Sequence, residues 1–118
     1  MAIQTKLSLF IGADVTVRVD VKQSDEVTAQ TMTGWALSFV LRRANDDGLV
    51  VNKSTGTGIT IGNGSGTDDR ASVALLRADT SAWPAGDNYA WALWRTDSGS
   101  DLPLAYGSAV LVKAVAQV

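Results

Sequence analysis

The sequence predicts an all-β domain, an immunoglobulin-like antiparallel β-sandwich of about seven strands, on three observations. Several segments alternate apolar and polar residues with period two, the mark of a strand with one buried face. Clusters of Gly, Asn, Asp and Ser divide the chain at short intervals, as turns between strands do. No segment sustains a helical period, and neither a linker nor an internal repeat divides residues 1–118, so one domain is expected.

The clearest strand carries Val15, Val17, Val19 and Val21 against Thr16, Arg18, Asp20 and Lys22. A second sets Trp35, Leu37, Phe39 and Leu41 against Ala36, Ser38, Val40 and Arg42, and a third sets Tyr89, Trp91 and Leu93 against Asn88, Ala90, Ala92 and Trp94. Shorter strands are expected over 6–11, 49–53, 59–61, 71–76 and 104–115, the last bent at Gly107. Asn45-Asp46-Asp47-Gly48, Gly62-Asn63-Gly64-Ser65-Gly66 and Asp97-Ser98-Gly99-Ser100-Asp101 read as turns, and Ser54 to Gly58 as a separating loop. Arg77 to Trp83 reads as one helical turn stopped by Pro84. Tyr89 is either a tyrosine corner, its hydroxyl bonded back to the preceding connection, or a plain core tyrosine.

The totals bound the classes. At 118 residues, with 46% hydrophobic and 19% charged residues, the chain supports one core and removes roughly two-thirds of its surface from water on folding. It contains no cysteine, so no disulfide or thiolate metal site is expected, in keeping with assembly in a reducing cytoplasm. A net charge of −2 and scattered basic residues argue against a nucleic-acid partner. No apolar run reaches the roughly 20 residues that span a bilayer, so no membrane partner is expected. Residues 7–13 resemble a short signal-peptide core but run directly into the valine strand, and read as structure.

Catalytic chemistry is missing. Without His or Cys the familiar Ser-His and Cys-His pairs cannot form. Gly62 to Gly66 imitates a nucleophile elbow, but Asn63 stands where the first glycine belongs. Lys53-Ser54 imitates a phosphate loop, with Asn52 and Asp47 in place of its glycines and no helix following. The eleven aspartates and Glu26 cluster in turns, where carboxylates bond their own backbone or face water. Asp46-Asp47, Asp68-Asp69 and Asp97 with Asp101 offer calcium-type oxygens without the spacing of a calcium loop, so no metal and no cofactor are expected. Asn52-Lys53-Ser54 and Asn63-Gly64-Ser65 match the glycosylation pattern, which acts only in a secreted eukaryotic protein.

The four tryptophans divide. Trp35 and Trp91 share parity with core residues and are expected inside. Trp94 has the opposite parity to Trp91, and Trp83 precedes Pro84 in a connection. Trp83 and Trp94 are the candidate interaction surface: either they face outward for a subunit or a sugar, or they cover the sandwich edge.

Taken in order, 7–14 leading to the valine strand, Met32-Thr33-Gly34-Trp35, Lys53 to Ile61, Asp79 to Tyr89, and Leu104-Ala105-Tyr106-Gly107 before a valine-rich end form a recognisable series. The series resembles a family of small immunoglobulin-like structural proteins of tailed bacteriophages, associated with head, tail or baseplate. Where that family often has Asp-Leu-Thr-Gly before the third strand, this chain has Gln30-Thr31-Met32-Thr33-Gly34. The resemblance implies a non-enzymatic virion protein, assembled in the host cytoplasm, whose partners are other phage structural proteins and copies of itself. It supplies no site residue. The alternative is a carbohydrate-binding module that attaches to a host glycan.

Because no ligand cluster has metal spacing, thermal unfolding with and without a chelator is expected to coincide. A large fall in melting temperature with chelator would show that the aspartate turns hold calcium.

Overall fold

The computed structural model describes residues 3–4, 6–12, 14–21, 30–46, 48–62, 69–81, 83–97 and 102–112. They form β1 (Ile3–Gln4), β2 (Leu7–Phe10), β3 (Val15–Asp20), β4 (Leu37–Arg43), β5 (Leu49–Thr55), β6 (Gly58–Ile61), β7 (Arg70–Leu75), α1 (Arg77–Thr80), β8 (Gly86–Arg95) and β9 (Leu102–Val112). Val17, Val19, Leu37, Phe39, Leu41, Trp91 and Leu93 are all buried, as the period-two pattern requires.

The two-sheet antiparallel sandwich is not what these strands build. They hydrogen-bond into a single mixed sheet in the order β1-β9-β8-β4-β5-β6-β7-β3, with β2 also on β9. β1 lies opposite Ala105 and Tyr106, and β2 opposite Ala109 to Val112, both parallel to β9. They therefore share one lane along β9, and the sheet has eight lanes. The edge lanes hold β2 and β3, which are consecutive in sequence and joined by residues 11–14 alone. So short a connection brings the two edges side by side, and the sheet is nearly closed into a barrel.

The link that a sandwich would lack is β5–β6. Ser54 to Gly58 was expected to separate two strands; instead β5 runs through Thr55, and Ser54 and Thr55 pair in parallel with Gly58 and Ile59. The Thr57 N–H donates to the Ser54 carbonyl at 2.8 Å, and Gly56 N–H to that of Ile59 at 3.1 Å. Gly58, at φ 104°, is required here: a Cβ would lie 2.6 Å from Lys53 Cδ. Alternation specifies the buried face of each strand, but not its lateral neighbour or direction. That is why both the sandwich and its all-antiparallel pairing fail.

α1 closes the barrel at one end. The Leu76 N–H donates to Asp79 Oδ2 at 2.7 Å, and the Arg77 N–H to Asp14 Oδ1 at 2.7 Å. Thr80 is buried, and its Oγ1 accepts the Gly12 N–H at 3.1 Å, tying the β2–β3 connection to the helical turn. Lys53, on the inward parity of β5, lays its stem beneath this turn and meets Asp79 Oδ2 at 3.1 Å.

Both readings of Tyr89 hold at once. The ring is buried, and the hydroxyl donates to the Pro84 carbonyl at 2.6 Å, the geometry of a tyrosine corner. The expected bend at Gly107 moves. Gly107 sits in regular register opposite Trp91, while the β8–β9 pairing shifts between Leu93 and Trp94, leaving Leu104 as the extra residue. Leu104 and Ala105 are consequently buried in succession.

Phe39 is fully buried and stacks on Trp91 with ring centroids 5.9 Å apart. Phe39→Ala is expected to cost about 3–5 kcal/mol in denaturant unfolding. Ser38→Ala should be nearly neutral, since Ser38 faces the other way with only a 3.4 Å hydrogen bond to Asn52. Equal effects would show that the register of β4 is wrong.

Candidate functional site: the outer face of β4, β8, β9 and β2

The side chains opposite in parity to the core form the outer surface of four neighbouring lanes. β8 presents Ala90, Ala92 and Trp94; β4 presents Ser38, Val40 and Arg42, opposite Trp94, Ala92 and Ala90 respectively. β9 brings Tyr106 beside Ala92 and Ser108 beside Ala90, and β2 brings Phe10 beside Val112. Of five exposed large apolar side chains among the described residues, Phe10, Tyr106 and Val112 lie on this face. Phe10 is 54% exposed. That concentration, rather than any single exposed residue, sets the surface apart.

Between β4 and β8 the face is indented. Val40, Arg42, Ala44, Ala90, Trp91, Ala92 and Trp94 line a recess of about 350 Å³. Its cause is local: three alanines project only a methyl group each, while Trp94 and Arg42 stand higher around them. Indole, guanidinium and phenol groups around a small apolar depression are the residue types enriched where proteins bind one another.

The structure separates the two tryptophans named from sequence. Trp94 is half-buried and lies on the outer face, bordering the recess. Trp83 is half-buried against the core, with its ring over Gly48. The Arg43 guanidinium lies 5.0 Å from the Trp83 ring centroid, so this indole sits between the core margin and a cation. Trp35 packs on the core margin with Arg95 3.8 Å from its ring centroid, and Trp91 is buried.

Both arginines are held by nearby carboxylates. Arg43 bonds Asp46 through Nε at 3.0 Å and Nη2 at 2.6 Å, and Asp46 also accepts the Gly48 N–H at 3.0 Å. The Arg43 hydrogen bond is the main reason the Asp46 carboxyl titrates below its ordinary value of 3.8, with the Gly48 N–H next. Arg95 lowers Asp97 in the same way, through Nε at 2.8 Å.

Of the aspartates considered for calcium, Asp46 and Asp97 are thus engaged by arginine and Asp69 is buried. Asp47, Asp68 and Asp101 lie outside the described residues, as do Asn63 to Gly66. Among the described residues no three His, Cys, Asp or Glu side chains gather into a possible metal site.

A second groove, of about 550 Å³, opens where β6 runs past the end of β5. Trp35, Thr33, Thr55, Thr60, Gly34 and Gly56 contribute to its lining, and among the described residues no charged side chain does.

Sequence parity found Trp94 but missed Phe10, Tyr106 and the alanine floor. Alternation places each of them outward; which strands lie side by side is what assembles them, and that is a tertiary fact.

The Asp46–Arg43 pair gives a pH-dependent expectation. A carboxyl whose folded pKa is depressed stabilises the fold above its unfolded pKa and loses that contribution as pH falls through the folded value. Asp46→Asn should therefore melt below the wild type at pH 7, with the difference closing as pH falls below 3.8. A difference that persists unchanged in acid would assign the effect to the turn backbone instead of the charge pair.

No protein-family model matches the chain, and no curated protein matches it significantly.

Proposed function

We propose that this chain is a non-enzymatic structural protein of a tailed-phage particle, on the head or in the tail or baseplate, working through protein–protein contacts. The observation that carries the reading is the outer face of β4, β8, β9 and β2. It carries three of the exposed large apolar side chains, Phe10, Tyr106 and Val112, and a recess bordered by Trp94 and Arg42. The order of sequence motifs supports the same reading through the phage-family resemblance. The absence of His and Cys from the chain leaves catalysis without its commonest groups. In this reading the protein assembles in the host cytoplasm and resides in the virion.

The carbohydrate reading has a different basis from the one the sequence suggested. Trp83 and Trp94 do not make a common platform, because one packs inward under Arg43 and the other lies on the outer face. The groove beside Trp35 is what favours a sugar, since it combines an indole, with Arg95 over its ring, and threonine hydroxyls.

Trp94→Ala separates these readings. Under the assembly reading the variant folds normally and is incorporated into particles several-fold less well, while glycan binding is nil in both variant and wild type. Trp83→Ala should lower the melting temperature, because it uncovers the core margin. Normal incorporation of Trp94→Ala, together with glycan binding that Trp35→Ala abolishes, would replace the assembly reading with the carbohydrate one.

A further inference from the structure

We propose that the seam between β2 and β3 takes an extended, acidic segment of a neighbouring protein, which adds a strand to the free edge of β3 and sets its carboxylates against Arg18 and Lys6. The proposal rests on the assembly reading and names the chemistry of one partner.

The seam is a lane without a strand. β2 and β3 hold the two edges of the sheet and are joined by residues 11–14. Hydrogen-bonded strands stand about 4.8 Å apart. β2 and β3 instead keep their Cα atoms more than 8 Å apart over nearly all of their length. One added strand needs about 9.6 Å between its neighbours, twice the ordinary spacing.

Backbone groups line this lane. In an antiparallel pair, alternate residues exchange their bonds. The Val21 N–H donates to the Asp69 carbonyl at 2.8 Å, in the register that runs on through Val19 with Ala71 and Val17 with Val73. The valines of β3 therefore bond to β7, and the N–H and C=O groups of Thr16, Arg18 and Asp20 point away from it. On the other side the Ile11 N–H donates to the Val112 carbonyl at 2.9 Å. By the same register Leu7 and Leu9 bond to β9, while Ser8 and Phe10 turn their backbone groups to the seam. Such rows of groups are a template for an incoming strand.

Side chains select which strand enters. Leu7, Ile11 and Val15, the inward residues bordering the seam, are only partly buried against the core. Apolar side chains on the inner side of the added strand cover them. On the outer side Arg18 and Lys6 are both exposed, and neither makes an ion pair. The carboxylates nearby are engaged: Asp20 holds Arg70 at 2.8 Å, and Asp14 accepts the Arg77 N–H at 2.7 Å. Opposite charges on neighbouring strands stabilise pairing, and like charges oppose it. The fitting segment is thus apolar on its inner side and acidic on its outer one. Charge on an edge also guards it against indiscriminate pairing, so the two cations that attract this segment reject a basic one.

Titration followed by nuclear magnetic resonance tests the proposal with two capped hexapeptides, one alternating valine with aspartate and one alternating valine with lysine. The aspartate peptide should bind with Kd in the micromolar range or weaker, as a short added strand does. Its lysine counterpart should bind at least about tenfold more weakly. The largest amide shifts should fall on Thr16 and Arg18, followed by Ser8 and Phe10. Arg18→Glu should weaken the aspartate peptide by about tenfold and strengthen the lysine one. Thr16→Pro, at an exposed edge position whose N–H faces away from β7, should fold and abolish binding of the aspartate peptide. Should that variant unfold, Arg18→Glu carries the test, since it removes no backbone donor.

No shift with either peptide at about 1 mM would overturn the proposal. Equal binding of the two peptides, shifts centred outside the seam, or indifference to Arg18→Glu would do the same. Association of the chain alone through these amides would assign the seam to a second copy and also overturn it. Failure of the seam and failure of the assembly reading remain distinguishable. If neither peptide binds and Trp94→Ala still loses incorporation, only the seam proposal falls. If the aspartate peptide binds as expected while Arg18→Glu and Trp94→Ala both enter particles normally, the seam stands as a peptide site and its role in assembly falls.

Discussion

β8 is the strand on which both the core and the outer face depend. It lies between β4 and β9, sends Tyr89, Trp91 and Leu93 inward, and sends Ala90, Ala92 and Trp94 outward. A one-residue slip would exchange those sets, placing alanines where the core needs rings and exposing an indole and a phenol. Bonds at both ends oppose such a slip. The Tyr89 hydroxyl holds the Pro84 carbonyl, and the Ala44 N–H holds the Asn88 carbonyl. At the far end the Thr96 N–H donates to Ala36 at 2.9 Å. Register is thus fixed by polar anchors at the ends and by the stack of Phe39 on Trp91 between them.

Curling one sheet toward closure leaves the barrel end to be covered, and polar groups cover it here. Lys53 and Asp79 are both largely shielded, with 16% and 19% of their side chains exposed. Removing one partner from so shielded a pair leaves a charge in poor contact with water, which costs more than losing an exposed pair. Asp79 also receives the Leu76 N–H, and Thr80 receives the Gly12 N–H from across the closing edges. The four-residue helical turn therefore acts as a clasp joining β5, α1 and the β2–β3 connection. Gly58 belongs to the same arrangement, since only a residue without Cβ lets the Lys53 stem cross β6.

The tryptophans show how the same side chain takes different work from its surroundings. Trp91 fills the core opposite Gly107, where the missing side chain leaves it room. Trp35 and Trp83 close the core margin beneath Arg95 and Arg43, and each arginine is steadied by an aspartate. Only Trp94 belongs to the outer face, where Ala90 and Ala92, earlier on the same strand, leave it standing beside a hollow. A sugar site needs a free aromatic platform with hydrogen-bonding groups around it, whereas a protein contact needs an apolar hollow with amphipathic walls. The outer face has the second character.

The sequence by itself determined most of the strands, though not β1, with their inward residues and the helical turn at Arg77, and it left Tyr89 between a corner and a plain core residue. Each has a local cause, such as pleat parity or, for Tyr89, a hydroxyl reaching back five residues. It also gave Trp94 the opposite parity to Trp91, leaving open whether the ring faces a partner or covers an edge. The tertiary structure decided what parity leaves open. β2 runs parallel to β9 although no turn joins them, and β5 passes directly to β6 through a two-residue bridge. These two pairings turn an expected sandwich into one nearly closed sheet. The β2–β9 pairing, with that of β8 and β9, also brings Phe10, Tyr106, Ala90, Ala92 and Trp94, from three separate stretches of chain, onto the outer surface of neighbouring strands. The physical reason is that alternation is a property of a single strand, whereas neighbour, direction and closure depend on hydrogen bonds and packing between segments far apart in sequence.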